Sequence, residues 1–273
     1  MSYPHDHNRQ AWDAQAREGK RFTRVASADD LSGLLRRVDR LGWLGESIAG
    51  QHVLCLGAGG GRHGAVYASC GARVTVVDIS GGMLELDRKI NKRFKLDVRL
   101  IQASMDYMPQ LLDAEFDLVI QPVSTCYLAD LQPVYAEISR VTKPAGLYVS
   151  QHKQPGSLQG SLSRSPLGYE VVTDYYHQGS LKPVGNSLHR EEGMEEFLHK
   201  WEDLLGLMCR AGFVIEDVME PKHGVEGAEL GSFEDRSLYL PPYVKIKARR
   251  QNNKPIDKHG NVVPKGLGSV ILP

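Results

Sequence analysis

At 273 residues the chain is long enough to bury a sizeable core, and it reads as one principal domain with additions. Lysine plus arginine and aspartate plus glutamate number 33 each, so no net field draws it to nucleic acid or to an anionic membrane. The four cysteines (Cys55, Cys70, Cys126, Cys209) form no C-x-x-C pair, which argues against a disulfide framework or a zinc site. No run approaches the ~18 apolar residues of a membrane span, and the polar start "MSYPHDHNRQ" is no secretory signal. A cytoplasmic protein without a metal is expected, with the "HDH" at residues 5–7 read as a frayed terminus.

Residues 1–48 read as an amphipathic helical segment, since "DDLSGLLRRVDRLGWL" places Leu31, Leu34, Leu35, Val38 and Leu41 on one helical face. From residue 52 short β-branched runs alternate with helices. "HVLCLG" predicts a strand and residues 62–70 a helix. "ARVTVVD" is a second strand and "GGMLELDRKINKRF" a second helix. "DVRLIQAS" and "FDLVIQP" are further strands, and "LQPVYAEISRVTK" is a helix leading into "GLYVSQHK". This rhythm implies right-handed crossovers and a parallel sheet covered on both faces. Residues 155–190 interrupt it with a Gly/Ser/Pro-rich stretch and a tyrosine-dense one, a length of loop usually functional or disordered. "MEEFLHKWEDLLGLMCRAG" then predicts a helix, and "FVIEDVME" and "LYLPPYVKIKAR" two last strands. The basic cluster "VKIKARRQNNKPIDKHG" reads mainly as a solvated tail, irregular over residues 251–273.

The stretch "VLCLGAGGGRHG" carries five glycines at a strand end, in two registers. Gly59, Gly61 and Gly64 spell the G-x-G-x-x-G of dinucleotide enzymes. Gly57, Gly59 and Gly61 spell the G-x-G-x-G of S-adenosylmethionine (SAM) enzymes. Either way, a strand that ends in glycines exposes backbone N–H groups and lets a ligand approach the main chain. Asp78 closes the second strand, where a carboxylate accepts two ribose hydroxyls, and adenosine is common to NAD and SAM. The registers separate on placement: a dinucleotide loop puts its first glycine directly at the strand end. That residue is Gly57, and the third glycine its motif requires would fall at Arg62.

Taken together, "VLCLGAGGGRHGAVYASCGARVTVVDISGGML", "QASMDYMP" and "FDLVIQPVSTCYLADLQPVYAEISRVTKPAGLYVS" resemble the class I SAM-dependent methyltransferases, most of all the bacterial type-11 methyltransferase domain. The later "SLHREEGMEEFLHKWEDLLGLMCRAGFVIEDVMEP" is similar to that family's final helix and strand, and "NRQAWD" to a lid segment. The resemblance implies a Rossmann-like α/β fold. Its seven-stranded, mostly parallel sheet ends in a reversed strand, with helices on both faces and an N-terminal helical lid over 1–48. The SAM-binding domain would be 49–250, with 155–190 as a substrate-facing insertion. It also implies that Gly57, Ala58, Gly59 and Gly61 wrap the methionine end of SAM, Asp78 holds the ribose, and Ile79 and Met83 flank the adenine. Ser104 and Met105 would meet the adenine's polar edge, while Gln121, Pro122 and Ser124 would face the methyl group. Two positions depart from the family pattern: Cys55 and Ser104 stand where many members carry an acid.

The expected reaction is in-line transfer of a methyl group from SAM to a small molecule, leaving S-adenosylhomocysteine. A non-catalytic SAM-binding module and an NAD(P)-dependent oxidoreductase are the alternatives. A base is needed only if the acceptor must lose a proton. His152 and His189 are the candidates, since histidine titrates near neutrality; a hydrogen-bonded structural task is the competing role for each. Tyr127 is a candidate pocket residue after the fourth strand. Tyr169, Tyr175 and Tyr176 suggest either an aromatic lid or a small satellite core, and Trp12 and Phe22 suggest closure over SAM.

Overall fold

A computed structural model describes residues 3–185 and 187–252. Its sheet has seven strands: β1 (His52–Leu56), β2 (Arg73–Asp78), β3 (Val98–Gln102), β4 (Phe116–Gln121), β5 (Thr142–Lys153), β6 (Phe213–Met219) and β7 (Tyr243–Arg250). They lie in the order β3-β2-β1-β4-β5-β7-β6. β7 alone runs antiparallel to its neighbours, β5 and β6. The expected architecture is therefore present, reversed strand included.

β1 shows why the apolar runs make a doubly covered sheet. Its alternate side chains feed opposite faces: Leu54 and Leu56 enter one core, Val53 and Cys55 the other. The first core is closed by α4 (Gln132–Val141) through Val134, Tyr135 and Ile138, and by Met208 of α6, a π turn (Glu202–Gly206) continued as helix over Leu207–Arg210. The second takes Tyr67 of α2 (His63–Ser69) and Leu84 of α3 (Gly81–Phe94). Every one of these side chains is removed from water, each stabilising the fold by ~1.5–3 kcal/mol before chain entropy is counted. The edge strand β6 instead alternates, with Glu216 outside and paired to Lys247 and Arg249 of β7. Residues 244–250 of the basic cluster expected in a tail are thus strand, with Lys245, Lys247 and Arg249 alternating with buried Val244, Ile246 and Ala248. Residues 253–273, the rest of that expectation, lie outside the described residues.

Three expectations change. The N-terminal helix is α1 (Tyr3–Glu18), which includes the "HDH" read as frayed, and no helix covers residues 29–44 beyond a 3-10 turn at Leu35–Arg37. Asp39 takes the N–H groups of Trp43 and Leu44 into its carboxylate, and the Trp43 indole donates to Asp217 of β6 at 3.0 Å. Side-chain capture of the backbone has won over apolar periodicity. The helix expected from residue 194 begins only at Trp201, because Phe197 N–H donates to Cys126 and Leu181 N–H to Glu196, holding 194–200 extended. After the short helix α5 (Pro155–Gln159) and α6, a further helix, α7 (Phe233–Tyr239), takes Leu238 and Tyr239 of the "LYL" assigned to a strand.

Candidate active site

The site lies where open α/β sheets place ligands, beyond the carboxyl ends of the parallel strands. After β1, Gly57 adopts φ +57° and donates its N–H to Val77 at 2.8 Å. A Cβ there would stand 2.8 Å from the Met105 methyl and 2.9 Å from Ser124. At Gly59 a Cβ would meet Asp78 Oδ2 at 2.9 Å. Two carboxylates hold this loop. Asp78 accepts from Gly59 N–H through Oδ2 (2.8 Å) and from Ser80 N–H through Oδ1 (2.9 Å). Burial pushes its carboxyl up to about 6, against the lowering effect of those N–H groups. Asp87, fully buried on α3, accepts from Gly60 N–H at 2.9 Å, and burial pushes it up to about 7. Asp87 escapes sequence reasoning; the available signal is a carboxylate at a core position of the run Met83, Leu84, Asp87, Ile90.

A third carboxylate, Asp13 of α1, accepts from Ser80 Oγ at 2.6 Å and from Gly82 N–H at 2.8 Å, so it fixes α1 to the start of α3. Asn8 fixes the same helix elsewhere: its amide donates to the carbonyls of Tyr127 and Glu195 and accepts from Glu195 N–H at 2.8 Å. α1 therefore roofs a cavity of about 360 Å³, a size suited to a small ligand. His5, Asn8 and Trp12 from α1 line it together with Phe22, and Trp12 meets the Tyr127 ring edge-on at 5.6 Å.

Of the residues singled out in the sequence, Gly57, Ala58, Gly59, Asp78, Ile79, Met83, Ser104, Met105, Pro122, Ser124 and Tyr127 all line this cavity. Gly61 lies outside it, packed on Val25 and the Leu86 carbonyl. Gln121 stands one layer behind the wall, donating to Ser124 Oγ at 3.1 Å and to Met105 Sδ, and accepting from the Tyr148 hydroxyl. Cys55 is a core residue whose thiol burial pushes up, not a wall residue.

Neither candidate histidine reaches the cavity. His152 is fully buried, Nδ1 against Thr125 Oγ1 (2.9 Å) and Nε2 against Ser150 Oγ (2.7 Å), and burial lowers it to about 3. With both ring nitrogens bonded to hydroxyls inside the core, its contacts fit the structural task. His189 stacks on Phe233 at 5.2 Å, away from the wall, and burial lowers it to about 4. Among the described residues of 155–190, none lines the wall either. Tyr169 donates to Asp235 of α7, while Tyr175 and Tyr176 pack edge-to-face beside a separate hollow. That segment is held instead by Arg236, which is buried and donates to the carbonyls of Ser157, Gly160 and Ser161.

At the far end from Asp78 the wall includes Glu191, which sequence reasoning also missed. Lys153 donates to Glu191 at 2.5 Å and to Glu196, and Arg190 donates to Glu196. Burial alone would raise the Glu191 carboxyl, but the Lys153 ammonium outweighs it and holds it below the usual range. His63, at the start of α2, lines the near end and is lowered to about 4 by burial and by Arg62.

The residues present suit an adenosine-bearing sulfonium better than a dinucleotide. Asp78 keeps unused lone pairs on both oxygens for two hydroxyls. A pyrophosphate would call on Arg62, but that side chain points outward and pairs with Asp30 at 2.9 Å. Among the described residues no lysine or arginine lines the cavity.

Comparison with known proteins agrees. A family model described as a methyltransferase domain matches residues 54–150. The chain is 29% identical over 244 residues to the Bacillus subtilis uncharacterized methyltransferase YbaJ, covering 80% of this chain and 91% of that one. It is 30% identical over 140 residues to the malonyl-[acyl-carrier protein] O-methyltransferase of Serratia marcescens, covering 50% of this chain and 53% of that one. A SAM-dependent methyltransferase structure from Mesorhizobium loti shares the fold with a TM-score of 0.64 at 21% identity, covering 81% of this chain and 100% of that one. With its glycine loop, strand-end carboxylate and reversed β7, the chain carries a methyltransferase domain over residues 54–150 and is similar to SAM-dependent methyltransferases in sequence and fold.

Proposed function

We propose that the cavity binds SAM and directs its methyl group to a small-molecule acceptor enclosed beneath α1. The observation that carries this is Asp78: a buried carboxylate already oriented by two backbone N–H groups, at the tip of β2 and next to the glycine turn. In this reading Asp78 accepts the two ribose hydroxyls and the Gly57–Gly59 backbone, without Cβ atoms in the way, closes on the methionine portion. Ile79 and Met83 pack on the adenine, Ser104 and Met105 meet its edge, and Pro122 and Ser124 border the methyl-bearing end. Gln121 and Gly61 act from behind, by fixing Ser124, Met105 and the loop.

Bound there, the cofactor supplies an activated methyl group on a sulfonium. The chain's part is alignment in a water-poor space, an effect worth ~7–11 kcal/mol in favourable cases. Trp12, Tyr127 and Leu128 make that space apolar, and Asn8 holds the roof over it. The four cysteines are all free thiols, Cys55 and Cys126 buried, which supports a reducing compartment such as the cytoplasm.

Calorimetry with SAM and S-adenosylhomocysteine tests the assignment. Asp78→Ala is expected to weaken both by about ten- to a hundredfold, the loss of one or two charge-assisted hydrogen bonds. Unchanged affinity, or thermal stabilisation by NADP alone, would sink it.

A further inference from the structure

The cavity spans the tips of β3, β2, β1, β4, β5 and β7, and its two ends differ in chemistry. Asp78 and the glycine turn occupy the β2–β1 end. The β4–β5–β7 end carries Tyr127, Leu128, Gln151, Tyr243 and Glu191, the last arriving from the segment after residue 190.

Asp78 and Glu191 are the two carboxylates of the wall, and no lysine or arginine accompanies them among the described residues. The charge of Glu191 is balanced from behind. Lys153, itself buried, bridges Glu191 and Glu196, and Arg190 joins Glu196, so both carboxyl groups have a cation behind them. Only Glu191 of the four faces the cavity. An ionised carboxylate is acceptor-only, with about four lone-pair sites. Lys153 and the Tyr127 hydroxyl fill two and Glu196 takes up a third, which leaves one acceptor site at the wall. Around it, Trp12, Val123, Tyr127 and Leu128 offer flat apolar surface.

We propose that Glu191 is the specificity residue of the acceptor end. It takes a hydrogen bond from an O–H or N–H of the methyl acceptor, which is an uncharged or cationic ring compound rather than a carboxylate or phosphate. The inference rests on the SAM reading of the Asp78 end. Its logic is twofold. A ligand donor takes the remaining acceptor site of the carboxylate, whereas a ligand lacking one forgoes that charge-assisted hydrogen bond. An anionic ligand group would meet two wall carboxylates and, among the described residues, no lysine or arginine, in a site where charge is poorly screened.

The test titrates protein saturated with S-adenosylhomocysteine with indole, tryptamine, 1-methylindole and indole-3-acetate. Indole and tryptamine keep the N–H, 1-methylindole lacks it, and indole-3-acetate adds a carboxylate. Indole or tryptamine is expected to bind about tenfold or more tightly than 1-methylindole, with indole-3-acetate weaker still. Glu191→Gln is expected to bring the indole-to-1-methylindole preference below about threefold and to strengthen indole-3-acetate. Because Lys153 retains Glu196 in that variant, its folding is checked by melting temperature; the wild-type ranking decides the charge rule independently. The proposal is overturned if indole-3-acetate matches indole, if neither indole nor tryptamine binds, or if a folded Glu191→Gln protein keeps the wild-type ranking. Affinity for S-adenosylhomocysteine is measured first. Its absence defeats the SAM reading, while normal affinity beside an unselective acceptor end defeats only this inference.

Discussion

Asp78 and Asp87 carry opposite consequences for the same proton. If Asp78 takes the ribose hydroxyls as a carboxylate, as proposed, affinity for S-adenosylhomocysteine is expected to fall as pH drops through about 6, and Asp78→Asn to abolish that dependence. Asp87 titrates near 7 when folded, against ~3.9 when unfolded. Between those values the folded chain holds the extra proton, so this group's contribution to stability declines as pH rises from about 4 through 7. Asp87→Asn keeps an oxygen for Gly60 N–H and is expected to flatten the melting-temperature profile over that window. An unaltered slope would show that Asp87 is not the titrating group. At this scale the sequence was legible where a residue sits in a motif, as with Asp78. It was opaque where function depends on what surrounds the side chain. His152 is a candidate base by residue type alone; its two hydroxyl partners, Thr125 and Ser150, are invisible until β5 and the turn after β4 are placed together. Glu191 and Asp13 lack any local signature for the same reason.

Among elements, α1 departs most from what its composition suggests. A polar N-terminal helix is commonly a loose cover, but Asn8 ties this one to the turn after β4 and to the strand-like segment at 195, and Asp13 ties it to α3. Asn8→Ala removes three hydrogen bonds and leaves buried backbone groups unpaired, costing ~1–3 kcal/mol for each orphan. The loss is local, so hydrogen exchange over residues 3–18 is expected to quicken while β1 and β4 stay protected, with S-adenosylhomocysteine restoring part of the protection. Equal acceleration throughout the sheet would contradict that partition. α6 has its own irregularity: at the π turn Glu202–Gly206, the Leu204 carbonyl accepts the buried Tyr135 hydroxyl at 3.0 Å. Helix periodicity announced neither this nor the extended run before it, since both are set by tertiary partners, Tyr135 in one case and Cys126 in the other. By contrast β1 to β5 and the helices between them were readable from pattern, because doubly buried strands need unbroken apolar runs and their crossovers need amphipathic helices.

For the whole molecule, the order β3-β2-β1-β4-β5-β7-β6 puts β7 inside the sheet although it follows β6 in the chain. Its inner side chains Val244, Ile246 and Ala248 are fully buried, and it pairs with β5 from Leu147 to Lys153. During translation, β1 to β5 leave the ribosome well before Tyr243 does. Until then the nascent half-sheet presents a long unpaired apolar border at β5, the kind of margin that recruits other strands or a chaperone. A polypeptide ending just before Tyr243 would hold that intermediate permanently; it is expected to sediment as aggregate where the full chain stays in the supernatant, and a soluble, monodisperse product would disprove this. Speed of synthesis through residues 154–242 thus becomes a property on which the yield of active enzyme depends.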